Sequence, residues 1–113
     1  MYTVYLADDE QLIREGLAET IPWESLRMRL VGTAEDGRHA LRGIREHKPD
    51  IVLTDIRMPY LDGLELIGKI REVHPSCRVV IISGHGEFTY AQSAIQLGVS
   101  DFILKPVDVT SLC

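Results

Sequence analysis

The chain has 113 residues, of which 45% are hydrophobic and 26% charged, a composition typical of a single soluble globular domain. Its formal net charge of -5 argues against nucleic acid or an anionic membrane as a direct partner of this module. Two cysteines without metal-ligand spacing, and no apolar run or leader typical of membrane insertion or secretion, predict a cytoplasmic protein.

Short apolar runs alternate along the chain with segments whose apolar residues recur at helical spacing. The predicted strands are Tyr2–Ala7, Leu30–Ala34, Ile51–Thr54, a fourth within SCRVVIIS and Phe102–Leu104. The predicted helices are Gln11–Thr20 (ended by Pro22), Gly37–His47, one marked by Leu64, Ile67 and Ile70, one from Tyr90 to Leu97, and an incomplete fifth in VDVTSLC. This alternation predicts an α/β fold with a doubly wound, five-stranded parallel sheet of flavodoxin-like order 2-1-3-4-5.

The stretch DIVLTDIRMP ends an apolar run on a lone carboxylate, Asp55. Taken alone, Asp55 is explained equally well as a cap of the turn before Met58-Pro59. In the predicted topology, however, the first and third strands flank the crevice where ligands bind, and the first strand is followed by Asp8, Asp9 and Glu10. Carboxylates that converge repel each other unless a cation neutralises them, and oxygen ligands select Mg²⁺, Mn²⁺ or Ca²⁺.

The fourth and fifth strands end on a hydroxyl and an ammonium, Ser83 and Lys105. These groups would supply a donor and a point charge for the oxygens of a phosphoryl group on Asp55. Each has a plainer explanation, because the acidic residues can cap a helix, Ser83 can be a turn residue and Lys105 a solvated strand end. Their joint occurrence at four strand ends favours the phosphoryl site.

The motifs ADDE, TDIRMPYLDG, ISGHG and DFILKP, in this order, resemble the receiver domain of bacterial two-component response regulators. The resemblance covers essentially the whole chain, so residues 1–113 are expected to form one receiver domain. It implies that a sensor histidine kinase phosphorylates the chain in the presence of Mg²⁺, and that the chain is a phosphoacceptor rather than an enzyme. The implied site consists of the phosphoacceptor Asp55, the metal ligands Asp8, Asp9, Asp55 and the backbone carbonyl of Arg57, the phosphoryl-binding Ser83 and Lys105, and Gly84, which leaves room for the donor.

The same resemblance implies a switch that couples Ser83 to Phe102, where tyrosine is frequent in the family. Phe102 lacks a hydroxyl, so such a switch must depend on packing; alternatively Phe102 is a core residue in every state. The predicted fourth helix, fifth strand and fifth helix would form the altered face, which serves many relatives as a homodimer interface. Arg57 and His85 border the phosphate and are expected to prolong its lifetime, unless both are merely solvated.

The segments IPWESLRMRLVGTAEDG and FTYAQSAIQLGVSDFILKPV resemble the receiver subgroup joined to AraC-type (YesN-like) DNA-binding domains. This implies transcription regulation by a parent protein that contacts DNA through an output domain absent from this chain. The same residues have three alternative interpretations. A flavodoxin-like cofactor binder is disfavoured by the acidic ADDEQL loop, and a haloacid dehalogenase-type phosphatase by Arg57 in place of a second acid. A phosphorylation-independent interaction module on the same scaffold stays open.

Overall fold

The computed structural model describes residues 2–55, 63–74, 76–83 and 101–104, and within them strands and helices alternate. The elements are β1 (Tyr2–Ala7), α1 (Gln11–Thr20), β2 (Met28–Ala34), α2 (Gly37–His47), β3 (Ile51–Asp55), α3 (Gly63–Val73), β4 (Arg78–Ser83) and β5 (Asp101–Leu104). The strands pair in parallel in the order β2-β1-β3-β4-β5. The α/β class and the parallel sheet are therefore confirmed, whereas the predicted fourth and fifth helices lie outside the described residues.

Apolar side chains from alternate strand positions form a core on each face of the sheet, because successive strand residues point to opposite sides. On one face Val4 and Leu6 of β1 join Leu17 of α1, and on the other Tyr5 and Ala7 belong to the cluster that includes α2 and α3. Helices therefore cover both faces, which explains why β3 and β4 read as continuous apolar runs. Among the described residues, no helix is long and apolar enough to cross a membrane.

The ends of α1 and α2 have local causes in the sequence. Ile21 leaves the helical conformation at φ -72° and ψ 127°, as expected for the residue before Pro22. At the start of α2, the Asp36 carboxylate accepts a hydrogen bond of 2.9 Å from the backbone N–H of His39. Lys48 ends α2 in the left-handed conformation, with φ 44°. The predicted bounds of both helices are thus the observed ones.

The β2 strand begins at Met28, two residues before the predicted start at Leu30. Met28 and Arg29 lie in a stretch that has no strand pattern of its own. However, Tyr2, the first residue of β1, pairs with Met28. The pairing with β1 therefore extends β2 into the connector. The register then shifts between Val4 and Tyr5, a local irregularity that no simple alternation of the sequence predicts.

Candidate functional site

The carboxyl ends of β1 and β3 bring two aspartates side by side. Asp8 directly follows β1, and Asp55 is the last residue of β3. The register pairs Ala7 with Thr54, so Asp8 and Asp55 are the next residues along two adjacent strands. Their exposed fractions are only 0% and 2%. Two neighbouring buried carboxylates are costly in a protein core, and so packing does not explain their position at this edge of the sheet.

Two exposed carboxylates, those of Asp9 and Glu10, complete a cluster of four with Asp8 and Asp55. One oxygen from each side chain lies within 4.8 Å of the others. All four donors are carboxylate oxygens, which suit hard divalent cations such as Mg²⁺ and not the softer metals that prefer thiolate or imidazole. The donor set therefore fits the predicted cation. Asp8, Asp9 and Asp55 were predicted as ligands, and the structure brings their carboxylates together.

Backbone and side-chain hydrogen bonds fix the loop between β1 and α1. The Asp8 N–H donates to the Ala34 carbonyl at 3.0 Å, which extends the β1–β2 pairing by one residue. The Asp8 carboxylate accepts a hydrogen bond from the Glu10 N–H at 2.9 Å. The Asp8 backbone carbonyl accepts one from Arg14 Nη1, also at 2.9 Å. Glu10 is the N-cap of α1 but makes no side-chain capping bond. Helix capping therefore does not explain these acidic residues. Asp8 instead supports the loop and belongs to the cluster.

The other predicted site residues are described only in part. Ser83 ends β4, one residue after Ile82, which pairs with Asp55. Ser83 itself pairs with Leu104, and Phe102 pairs with Ile81, through the β4–β5 backbone register. The side chains of Ser83 and Phe102 are outside the description. Arg57, Gly84, His85 and Lys105 lie wholly outside the described residues.

Glu10, which belongs to the cluster, and Arg14, which lies beside it, are not among the metal ligands that the sequence predicts. Glu10 follows Asp9 directly, and its position in an acidic run was the available signal. Arg14 stands four residues further on, where a helix presents the same face again, so its proximity to the loop could have been anticipated. The bond from Arg14 to a backbone carbonyl has no signature in the sequence.

A family model, described as the response regulator receiver domain, matches residues 4–113. The chain belongs to the receiver domain family. This receiver domain is 48% identical over 106 residues to the uncharacterized transcriptional regulatory protein YesN of Bacillus subtilis, covering 94% of this chain and 29% of that protein. It is 44% identical over 112 residues to the transcriptional regulatory protein HptR of Staphylococcus aureus, covering 99% of this chain and 44% of that protein.

Solved structures agree with this assignment. The receiver domain of AraT, a response regulator from Geobacillus stearothermophilus, superposes with a TM-score of 0.94 at 45% identity, covering 98% of this chain and 86% of that one. A two-component transcriptional regulator AraC from Clostridium phytofermentans gives 0.89 at 34% identity, covering 99% and 87%. The receiver domain spans less than half the length of the curated relatives named above.

Proposed function

We propose that this receiver domain accepts a phosphoryl group on Asp55 from a sensor histidine kinase, with Mg²⁺ bound beside it. The observation that carries the proposal is the buried Asp55 carboxylate at the end of β3, within 4.8 Å of three further carboxylates. A carboxylate in such a cluster is a nucleophile that needs a cation before an anionic phosphodonor can approach. The family assignment agrees with this chemistry.

In the proposed reaction an oxygen of Asp55 attacks the phosphorus atom of the donor. The bond between phosphorus and the leaving group breaks, the leaving group keeps the electron pair, and an acyl phosphate forms on Asp55. Asp8, Asp9, Asp55 and the backbone carbonyl of Arg57 would hold Mg²⁺. When bound, the cation reduces the negative charge that the donor meets. Asp8 is buried and tied to the loop backbone, so its carboxylate is well fixed for this role.

Ser83 and Lys105 would bind the phosphoryl oxygens through a hydroxyl and an ammonium. The strand register supports this assignment, because Asp55 pairs with Ile82, the residue before Ser83. Ser83 in turn pairs with Leu104, the residue before Lys105. Ser83 thus ends β4, and Lys105 follows the last residue of β5, at the same edge of the sheet as Asp55.

In this proposal the receiver domain belongs to a longer parent protein, and phosphorylation switches an attached output domain that regulates transcription. Residues 1–113 would form its receiver domain, and movement of Ser83 would be coupled to Phe102 on β5. The face that contains β5 and the predicted fourth helix would form a homodimer. YesN and HptR are named as transcriptional regulatory proteins, which supports an attached DNA-binding output domain. The name of the AraC regulator from Clostridium phytofermentans supports the AraC type of that domain. In this proposal DNA is contacted by that output domain and not by the acidic receiver.

The proposal is tested by incubating the protein with MgCl₂ and acetyl phosphate and measuring its intact mass. We expect a gain of one HPO₃ group that requires Mg²⁺ and is abolished by Asp55→Asn. Asp50→Asn is the matched control, because it makes the same chemical change just before the opposite end of β3; this variant should still be phosphorylated. Persistent labelling of Asp55→Asn would refute Asp55 as the acceptor. Absence of labelling in the unsubstituted protein would favour the phosphorylation-independent interaction module.

A further inference from the structure

Arg14 of α1 reaches back to the loop that carries three of the four clustered carboxylates. Its Nη1 donates to the Asp8 backbone carbonyl at 2.9 Å in a partly buried hydrogen bond. Its backbone N–H donates to the Glu10 carbonyl at 2.9 Å, in the first turn of α1. One residue therefore contacts both ends of the segment from Asp8 to Glu10.

This contact complements the bond on the other side of the loop. The Asp8 N–H is held by the Ala34 carbonyl of β2, whereas the Asp8 carbonyl is held by Arg14. The peptide groups on both sides of Asp8 are thus anchored, one to the sheet and one to α1. A bond from a guanidinium to a carbonyl is charge-assisted and stronger than a neutral one. These two peptide groups fix the direction of the Asp8 Cα–Cβ bond, and the hydrogen bond from the Glu10 N–H holds the carboxylate itself.

A cation beside a metal site can act in two opposite ways. If the charge of Arg14 is what matters, the guanidinium repels Mg²⁺ and its removal strengthens Mg²⁺ binding. If the hydrogen bond to Asp8 is what matters, its removal loosens the loop and weakens Mg²⁺ binding. The described position of Arg14 favours the second effect, because the guanidinium is bonded to the backbone of a carboxylate-bearing residue and is partly buried.

We propose that Arg14 is a positioning residue for the Mg²⁺ site, which acts by fixing the Asp8 peptide and through it the acidic loop. The inference rests on the proposed function, since it needs the carboxylate cluster to bind Mg²⁺. It assigns to α1 a part in the site that the carboxylates alone do not account for.

The test is calorimetric titration of MgCl₂ into the metal-free protein and its variants, without any phosphodonor. We expect Arg14→Gln to weaken Mg²⁺ binding by about tenfold, as is usual when a group that orients a metal ligand is lost. Glutamine is a good helix former, and this variant should therefore keep the fold, which circular dichroism checks. Arg14→Lys retains a donor and a charge and should recover most of the lost affinity. Arg42→Gln, at an exposed site on α2, removes the same charge and should leave the affinity unchanged.

The outcomes separate the two hypotheses. Mg²⁺ binding by Arg14→Gln that equals or exceeds that of the unsubstituted protein would overturn the positioning role while leaving the metal site intact. An equal loss of affinity in Arg14→Lys and Arg14→Gln would also contradict it, because the lysine should rescue. The proposed Mg²⁺ site itself is refuted if the unsubstituted protein binds no Mg²⁺. It is also refuted if Asp55→Asn and Asp8→Asn both bind Mg²⁺ as tightly as the unsubstituted protein does.

Discussion

Replacing Asp8 by asparagine removes one negative charge from the carboxylate cluster and hardly changes the shape of the side chain. Asp8 and Asp55 are both buried, and their nearest clustered oxygens lie within 4.8 Å. With an effective dielectric constant of about 20, two unit charges at that distance repel by roughly 3 kcal/mol. Asp9 and Glu10 are exposed, so solvent screens their additional repulsion. Asparagine keeps the Oδ1 that accepts from the Glu10 N–H, and so the loop bond survives.

We therefore expect Asp8→Asn to raise the free energy of unfolding by about 1–3 kcal/mol in metal-free buffer at neutral pH, since part of the repulsion is relaxed in other ways. For a domain of this size the melting temperature should rise by about 4 °C or more. Addition of MgCl₂ should then stabilise the unsubstituted protein more than the variant, because a cation that binds only the folded state adds to its stability. Thermal unfolding with EDTA and with saturating MgCl₂ measures both effects.

Asp36→Asn is the matched control. Asp36 is also buried, but its carboxylate is hydrogen-bonded to the imidazole of His39, which can carry a positive charge. Burial raises the pKa of Asp36, but the hydrogen bonds from His39 outweigh burial and the pKa is lowered. A carboxyl group whose pKa is lower in the folded than in the unfolded state stabilises the fold at pH values above the unfolded-state pKa. This contribution is lost as the pH falls through the folded-state pKa. Asp36→Asn should therefore lower the melting temperature at neutral pH. A lower metal-free melting temperature for Asp8→Asn, or equal stabilisation of Asp8→Asn and the unsubstituted protein by Mg²⁺, would refute the account of the cluster.

Two further predictions concern the core around the sheet. A Cβ atom at Gly43 of α2 would overlap the Tyr5 ring and hydroxyl. Gly43→Ala should therefore lower the free energy of unfolding, measured by urea denaturation, by about 1–3 kcal/mol. At Gly68 on α3 an added Cβ would meet no atom of the described residues within 4 Å, so Gly68→Ala should be neutral or stabilising. Similar losses of stability in both variants would contradict the packing argument. Burial raises the pKa of the Cys77 thiol to about 11. In a Cys113→Ser background, iodoacetamide at pH 8 should therefore alkylate the folded protein far more slowly than the urea-unfolded chain, and comparable rates would show that the thiol is accessible.

The candidate site shows how far the sequence alone reaches. Asp8, Asp9 and Asp55 were predicted to meet because the ends of the first and third strands of a doubly wound sheet flank one crevice, and they do meet. That argument needs only strand order and residue type. The sequence also places Glu10 after the first strand. How close its carboxylate comes to the others, and the bond from Arg14, depend on how the loop turns after Ala7, which the sequence pattern leaves unspecified.

The sequence by itself determined the alternation of strands and helices, the bounds of α1 and α2, and the acidic residues at two strand ends, because periodicity, Pro22 and the Asp36 cap act over a few neighbouring residues. Tertiary structure alone decided the start of β2 at Met28 and the register shift after Val4, since these depend on pairing with a distant strand. It also decided the fit of the Tyr5 ring against Gly43 and the anchoring of Asp8 to α1 and β2. Contacts between residues far apart in the chain fix these features, and no local pattern encodes them.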